Sequence, residues 1–131
     1  MGLGPQAFID LSALKHNLQR VRQAAPASRI MVMLKANAYG HGMLTVANTL
    51  KDADAMAVAR VGEGVQLRTA GITAPIVILE GCFDQDDLAL AAQHNLELVV
   101  HEPGQIRMLQ QQRLANPVTC WLKGDTGMHR L

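Results

Sequence analysis

Apolar residues along this chain follow two alternating rhythms. Leu11, Leu14, Leu18 and Val21 recur three or four positions apart, the spacing that lines one face of an α-helix. Asp10 or Ser12 is placed to cap its start, and Pro26 lies near its end. Arg29 to Lys35 is a short apolar run suited to a strand buried on both faces, and helical spacing resumes from Met43 to Leu50 after the glycines. The unit then repeats. Ala55 to Ala59 reads as a strand before a helix over Glu63 to Ala70, and Pro75 to Leu79 as a strand before a helix over Asp86 to Gln93. Leu96 to Val100 is the next strand, and Pro103 sits where proline suits the first turn of a helix running to about Arg113. Val118 to Leu122 is the fifth strand. Five strands separated by helices predict an α/β fold with parallel pairing and right-handed crossovers. The alternation alone fits a doubly wound sheet as well as an α/β barrel. With no internal repeat, low-complexity tract or linker, residues 1–131 form one structural unit.

Composition narrows the picture modestly. Apolar residues make up 49% and charged residues 18%, which supports a packed domain and argues against disorder. A formal charge of +1 with no interleaving of basic and aromatic residues points to no nucleic-acid partner. No apolar run is long enough to cross a bilayer and no signal-peptide pattern opens the chain, so a cytoplasmic location is expected. Cys82 and Cys120 stand apart without metal-ligand spacing and read as buried thiols. Met31, Met33, Met43, Met56, Met108 and Met128 read mostly as core fillers. Asp84, Asp86 and Asp87 lack the spacing of a calcium loop and read as a helix start, and no metal is expected at His41 or His129.

Chemistry concentrates at Lys35. The apolar run Val32-Met33-Leu34 ends in this lysine and passes at once into Ala36-Asn37-Ala38-Tyr39-Gly40-His41-Gly42. An ammonium delivered to an apolar pocket loses hydration, which favours the neutral amine, a nucleophile able to form a Schiff base with an aldehyde such as pyridoxal phosphate. Tyr39 is within reach of a phosphate or a ring, and Gly40 and Gly42 permit backbone geometries that a Cβ resists. The plainer alternative is a solvated lysine at a strand end.

Lys35-Ala36-Asn37-Ala38-Tyr39-Gly40-His41-Gly42 resembles the pyridoxal-phosphate attachment motif of the alanine racemases. Trp121-Leu122-Lys123-Gly124-Asp125-Thr126-Gly127-Met128-His129-Arg130-Leu131 is similar to a second segment of that family, which carries a modified lysine and, seven residues on, an arginine. Ala57-Val58-Ala59-Arg60, Leu67-Arg68-Thr69-Ala70-Gly71-Ile72 and Ile76-Val77-Ile78-Leu79-Glu80-Gly81 also resemble the family, in the same order and over nearly the whole chain. Motifs that keep their order are far more specific than one alone.

The resemblance implies a partial TIM-type (β/α) barrel, its parallel strands alternating with helices, with Lys35 and Lys123 at the strand ends where such barrels place their chemistry. The family has an eight-stranded barrel followed by a β-rich domain, so residues 1–131 are expected to be the N-terminal part of the barrel, truncated about halfway, with the C-terminal β domain absent. Phe8 to Asp10 resembles a segment that pairs with that domain. The implied activity is interconversion of L-alanine and D-alanine through a pyridoxal 5'-phosphate aldimine, an isomerase step that supplies D-alanine for peptidoglycan. Lys35 would hold the cofactor and act as one base; Tyr39 would serve the phosphate, and Arg130 the phenolic oxygen. Lys123 would be a possible carbamate orienting Arg130. The opposite base in the family is a tyrosine from the partner subunit of a homodimer, and Tyr39 is the only tyrosine here. Departures include Gly124, where a larger apolar residue is usual, and Gly62 and Gly64, where glutamate and alanine are usual. Two other readings stay open: a non-catalytic truncated product, and a related pyridoxal-phosphate barrel that acts as carrier or amino-acid decarboxylase.

Overall fold

A computed structural model describes residues 4–130. Helix α1, Leu11–Ala24, precedes five parallel strands: β1, Met31–Met33; β2, Ala55–Val58; β3, Ile76–Ile78; β4, Glu97–Val100; and β5, Cys120–Leu122. Between them lie α2, Lys35–Tyr39, α3, Met43–Thr49, α4, Val61–Thr69, α5, Gln85–Gln93, and α6, Pro103–Gln111. Each element except α2 falls within a residue or two of the stretch its hydrophobic pattern predicts; α2 occupies the glycine-rich turn after β1, where no helix is expected. Of the two candidate caps on α1, Asp10 is the one in use, its carboxylate accepting from the amides of Ser12 and Ala13 at 2.9 and 3.1 Å.

Strand order decides between the two architectures. The strands lie side by side as β1-β2-β3-β4-β5, each parallel to the next. A doubly wound sheet reverses its order partway and carries helices on both faces; this sheet does neither. One face, with Val32, Met56, Val58, Ile76, Ile78 and Leu98, packs against the helices through Met43, Val46, Leu67, Leu88 and Met108. The other holds Ala57, Val77 and Val99 with Met31 and Leu79, a cluster to which no helix contributes. Such a singly wound arc, helices outside and a bare concave side, is the winding of a (β/α) barrel.

Several side chains depart from their expected settings. Cys82 is buried, but Cys120 is exposed, because β5 is an outer strand whose three residues are all exposed. Met43 and Met56 fill the core, whereas Met33 and Met128 are exposed: Met33 points to the concave face, and Met128 belongs to the loop after β5. Gly64 has a packing reason that its position in a helix conceals. A Cβ there would lie 2.9 Å from both Ile78 Cδ1 and Leu96 Cδ1, while one on Gly62 would meet nothing within 4 Å. Phe8 is almost fully exposed.

Candidate functional site

Residues at the C-terminal ends of the strands build the candidate site. Met33 ends β1 on its concave face, and Lys35, two positions on, opens α2. Leu79 extends β3 on the same face, in step with Val77. Lys123 follows β5, its amide donating to the Val100 carbonyl at 2.9 Å and continuing the ladder past the strand. Met33, Lys35, Leu79, Lys123 and Arg130 together line an open cleft of ≈ 410 Å³. Three of the four sequence-predicted site residues therefore share one cleft, although the first and last of them are 95 positions apart. Among the described residues the cleft has an apolar wall, three cationic side chains and no carboxylate, a lining that suits an anionic organic molecule. Lys35 is half-buried and Lys123 exposed.

Tyr39 does not line this cleft; it lies at the far end of α2 and is 60% exposed. Its placement follows from the backbone of α2, which is left-handed. Ala36, Asn37, Ala38 and Tyr39 all have φ between 53° and 55°, a conformation that costs L-residues about 1–2 kcal/mol each. Gly40 and Gly42 continue with φ of 86° and 93°, where the absence of a Cβ removes that cost. The turn is closed by its own amides: Ala38 donates to the Leu34 carbonyl at 2.8 Å and Gly42 to the Asn37 carbonyl at 3.0 Å. His41, whose Nδ1 lies 3.1 Å from the Ala38 carbonyl, belongs to the same turn.

A carboxylate shapes the loop that carries Arg130. Asp125 accepts from the amides of Gly127 and His129 at 3.2 and 2.9 Å, and its other oxygen lies 3.3 Å from His129 Nδ1. These bonds, led by that from the His129 amide, hold its pKa below the ordinary carboxylate value of 3.8. His129 itself has φ 54°. Leu131, which closes the second motif, lies outside the described residues. Glu80, the residue after Leu79, pairs with Arg60 at 3.6 Å. Buried Gln105 ties the ends of β3 and β4 together, its amide donating to the Glu80 carbonyl at 3.0 Å and accepting from the His101 amide at 2.9 Å. Gly81, with φ 71°, leaves room for this arrangement, since a Cβ would fall 2.3 Å from the Val99 carbonyl oxygen. The Cys82 thiol is pushed up to about 12 by burial, so it is no nucleophile at neutral pH. Asp84 caps α5, accepting from the Asp87 amide at 2.8 Å, the helix-start role its position suggests.

The sequence singled out Lys35, Lys123 and Arg130, which line the cleft, but not Met33, Leu79, Asn37 or Asp125. Met33 and Leu79 carried a usable signal, the two-residue period of β1 and β3 that puts them on the face of Met31 and Val77. Asn37 and Asp125 act on backbone groups whose geometry no periodicity reveals.

Comparison with known proteins places these features in context. The family model described as "Alanine racemase, N-terminal domain" matches residues 9–131. The alanine racemase of Pectobacterium carotovorum is 55% identical over 95% of this chain, and the biosynthetic alanine racemase of Escherichia coli O6:H1 is 52% identical over 95%. The chain spans 35% and 34% of their respective lengths. Among solved structures, the biosynthetic alanine racemase of Pseudomonas aeruginosa superposes with a TM-score of 0.88 at 41% identity, over 93% of this chain and 34% of that one. The Bacillus anthracis enzyme with bound L-Ala-P superposes at 0.84 and 30% identity, over 94% of this chain and 33% of the other.

Proposed function

This chain belongs to the alanine racemase N-terminal domain family, and from that premise we propose that its cleft binds pyridoxal 5'-phosphate through Lys35 and serves the interconversion of L-alanine and D-alanine in the cytoplasm. The family is pyridoxal-phosphate-dependent. The observation that carries the reading is the convergence of Lys35, Lys123 and Arg130 on one cleft. A primary amine flanked by two further cations, with Met33 and Leu79 as an apolar wall, fits an anionic aromatic aldehyde in both charge and chemistry.

When bound, the cofactor supplies an electron sink for negative charge at the substrate's α-carbon. The protein's part is positioning and proton transfer. Lys35 Nζ would hold the cofactor and would be the group to take or return the α-proton on one face. Arg130 would offer a cation to the cofactor's phenolic oxygen. Lys123, if carbamylated, becomes an anion that orients Arg130; as an ammonium it repels it. Tyr39, outside the cleft and exposed, is available to the phosphate. Proton transfer on the opposite face needs a second group, which the family resemblance assigns to a tyrosine of the partner subunit in a homodimer.

Borohydride trapping tests the assignment. The purified chain is incubated with pyridoxal phosphate, reduced, and mapped by peptide mass spectrometry beside Lys35→Ala. A single stoichiometric adduct on Lys35, lost in the variant, is expected; labelling scattered over several lysines would overturn it. The sheet's bare concave face and its outer strands β1 and β5 favour a second reading, in which the chain holds cofactor without turning over. A racemisation assay on chain that has passed the trapping test separates the two.

A further inference from the structure

A left-handed turn of four non-glycine residues needs something to hold it, and here it directly follows the amine it presents. Among those four residues, Asn37 is the type that enters this region of backbone space most readily, because its short amide bonds locally. It also does more. Its Oδ1 accepts from the Met43 amide at 2.9 Å, at the start of α3, whose N-cap residue Gly42 has no side chain to do so. The Asn37 carbonyl meanwhile accepts from the amides of Gly42 and Gly40, at 3.0 and 3.2 Å. One residue thus fastens the turn to the helix at two points, and α3 is itself anchored in the core by Met43, Val46 and Ala47.

We propose that Asn37 is a positioning residue for Lys35: its side chain clamps the left-handed turn to α3 and so fixes the direction in which the amine enters the cleft beside Lys123 and Arg130. The proposal rests on the reading of Lys35 as the cofactor amine, yet it concerns the apo chain and can be tested there. Its chemical requirement is narrow. The residue must tolerate positive φ and must offer an acceptor to the Met43 amide. Aspartate meets both requirements, whereas glycine and alanine lack the acceptor.

The test compares Asn37→Gly and Asn37→Asp with the unaltered chain. Asp84→Ala, which removes the cap of α5 away from Lys35, controls for a loss of stability alone. Two readouts are taken. Trapping with pyridoxal phosphate and borohydride gives the rate of labelling at Lys35 relative to the other lysines. Reductive methylation with ¹³C-formaldehyde gives the methyl resonance of Lys35 without any cofactor. Asn37→Gly should cut the relative labelling about tenfold and move the Lys35 methyl resonance into the envelope of the exposed lysines. Asn37→Asp should retain both properties, and so should Asp84→Ala. Unchanged labelling and resonance in Asn37→Gly would overturn the proposal, as would an equal loss in Asp84→Ala. If the unaltered chain takes no label at Lys35, the cofactor reading fails and the methyl resonance alone decides: a distinct resonance lost in Asn37→Gly supports the clamp, and the same resonance in both overturns it.

Discussion

Two glycines in α4 look alike in sequence and differ in what surrounds them. Gly62 faces open space, so Gly62→Ala should gain about 0.5–1 kcal/mol from lower conformational entropy in the unfolded chain, read as a higher urea midpoint. Gly64→Ala starts from the same backbone gain but must push back two core methyl groups at 2.9 Å. Its midpoint should fall below that of Gly62→Ala, and equal midpoints would mean that Leu96 and Ile78 yield freely. The pair illustrates what was legible residue by residue. Lys35 stood out by residue type at the end of an apolar run, and Lys123 and Arg130 by the resemblance of their segment to a family motif. The role of Gly64 was not, since it depends on side chains from β3 and from the turn before β4 that meet it only in the fold. Cys120 failed for a related reason, because exposure is set by the edge of a sheet and not by the thiol.

At the level of elements, hydrophobic period located the strands and every helix but α2: β2, buried at all four positions, and α6, opened by Pro103, fall where the pattern puts them. The connections were not legible, because their geometry comes from bonds between backbone and side chain. Arg68 is an example, a helix residue whose guanidinium donates to the carbonyls of Ile72, Ala74, His94 and Asn95 at 2.7–2.9 Å. It staples the turns that lead into β3 and β4. Arg68→Ala should therefore destabilise the chain by about 1.5–3 kcal/mol, as removal of charge-assisted bonds does, measurable by urea unfolding. The loop after β5 has its own pH dependence. The folded pKa of Asp125 is depressed below 3.8, so its contribution is complete above the unfolded value and is lost as pH falls through the folded one. Hydrogen exchange at the Gly127 and His129 amides should accelerate, relative to intrinsic rates, as pH drops below about 4, and Asp125→Asn should blunt that change. Protection that ignores pH would show that the carboxylate does not hold the loop.

On the scale of the whole molecule, the bare concave face is the dominant feature. Met33 and Trp121 are exposed there, with the Trp121 indole donating to Glu97 at 2.7 Å, and β1 and β5 each pair on one side among the described residues. Unpaired strand edges and exposed apolar surface drive association. A polypeptide of these 131 residues should accordingly sediment as larger species with rising concentration, with a matching change in Trp121 emission. A concentration-independent monomer would refute this. The strand order has one more implication. In a flat sheet the ends of first and fifth strands would stand about 19 Å apart, too far for two lysines to border one small cleft. They share it because the sheet curls, so the spacing between the Lys35 and Lys123 amines acts as a ruler of curvature. Lysine-specific cross-linkers of graded length would read that ruler directly, and any substitution that flattens the arc would register as a longer minimum span before it registered as unfolding.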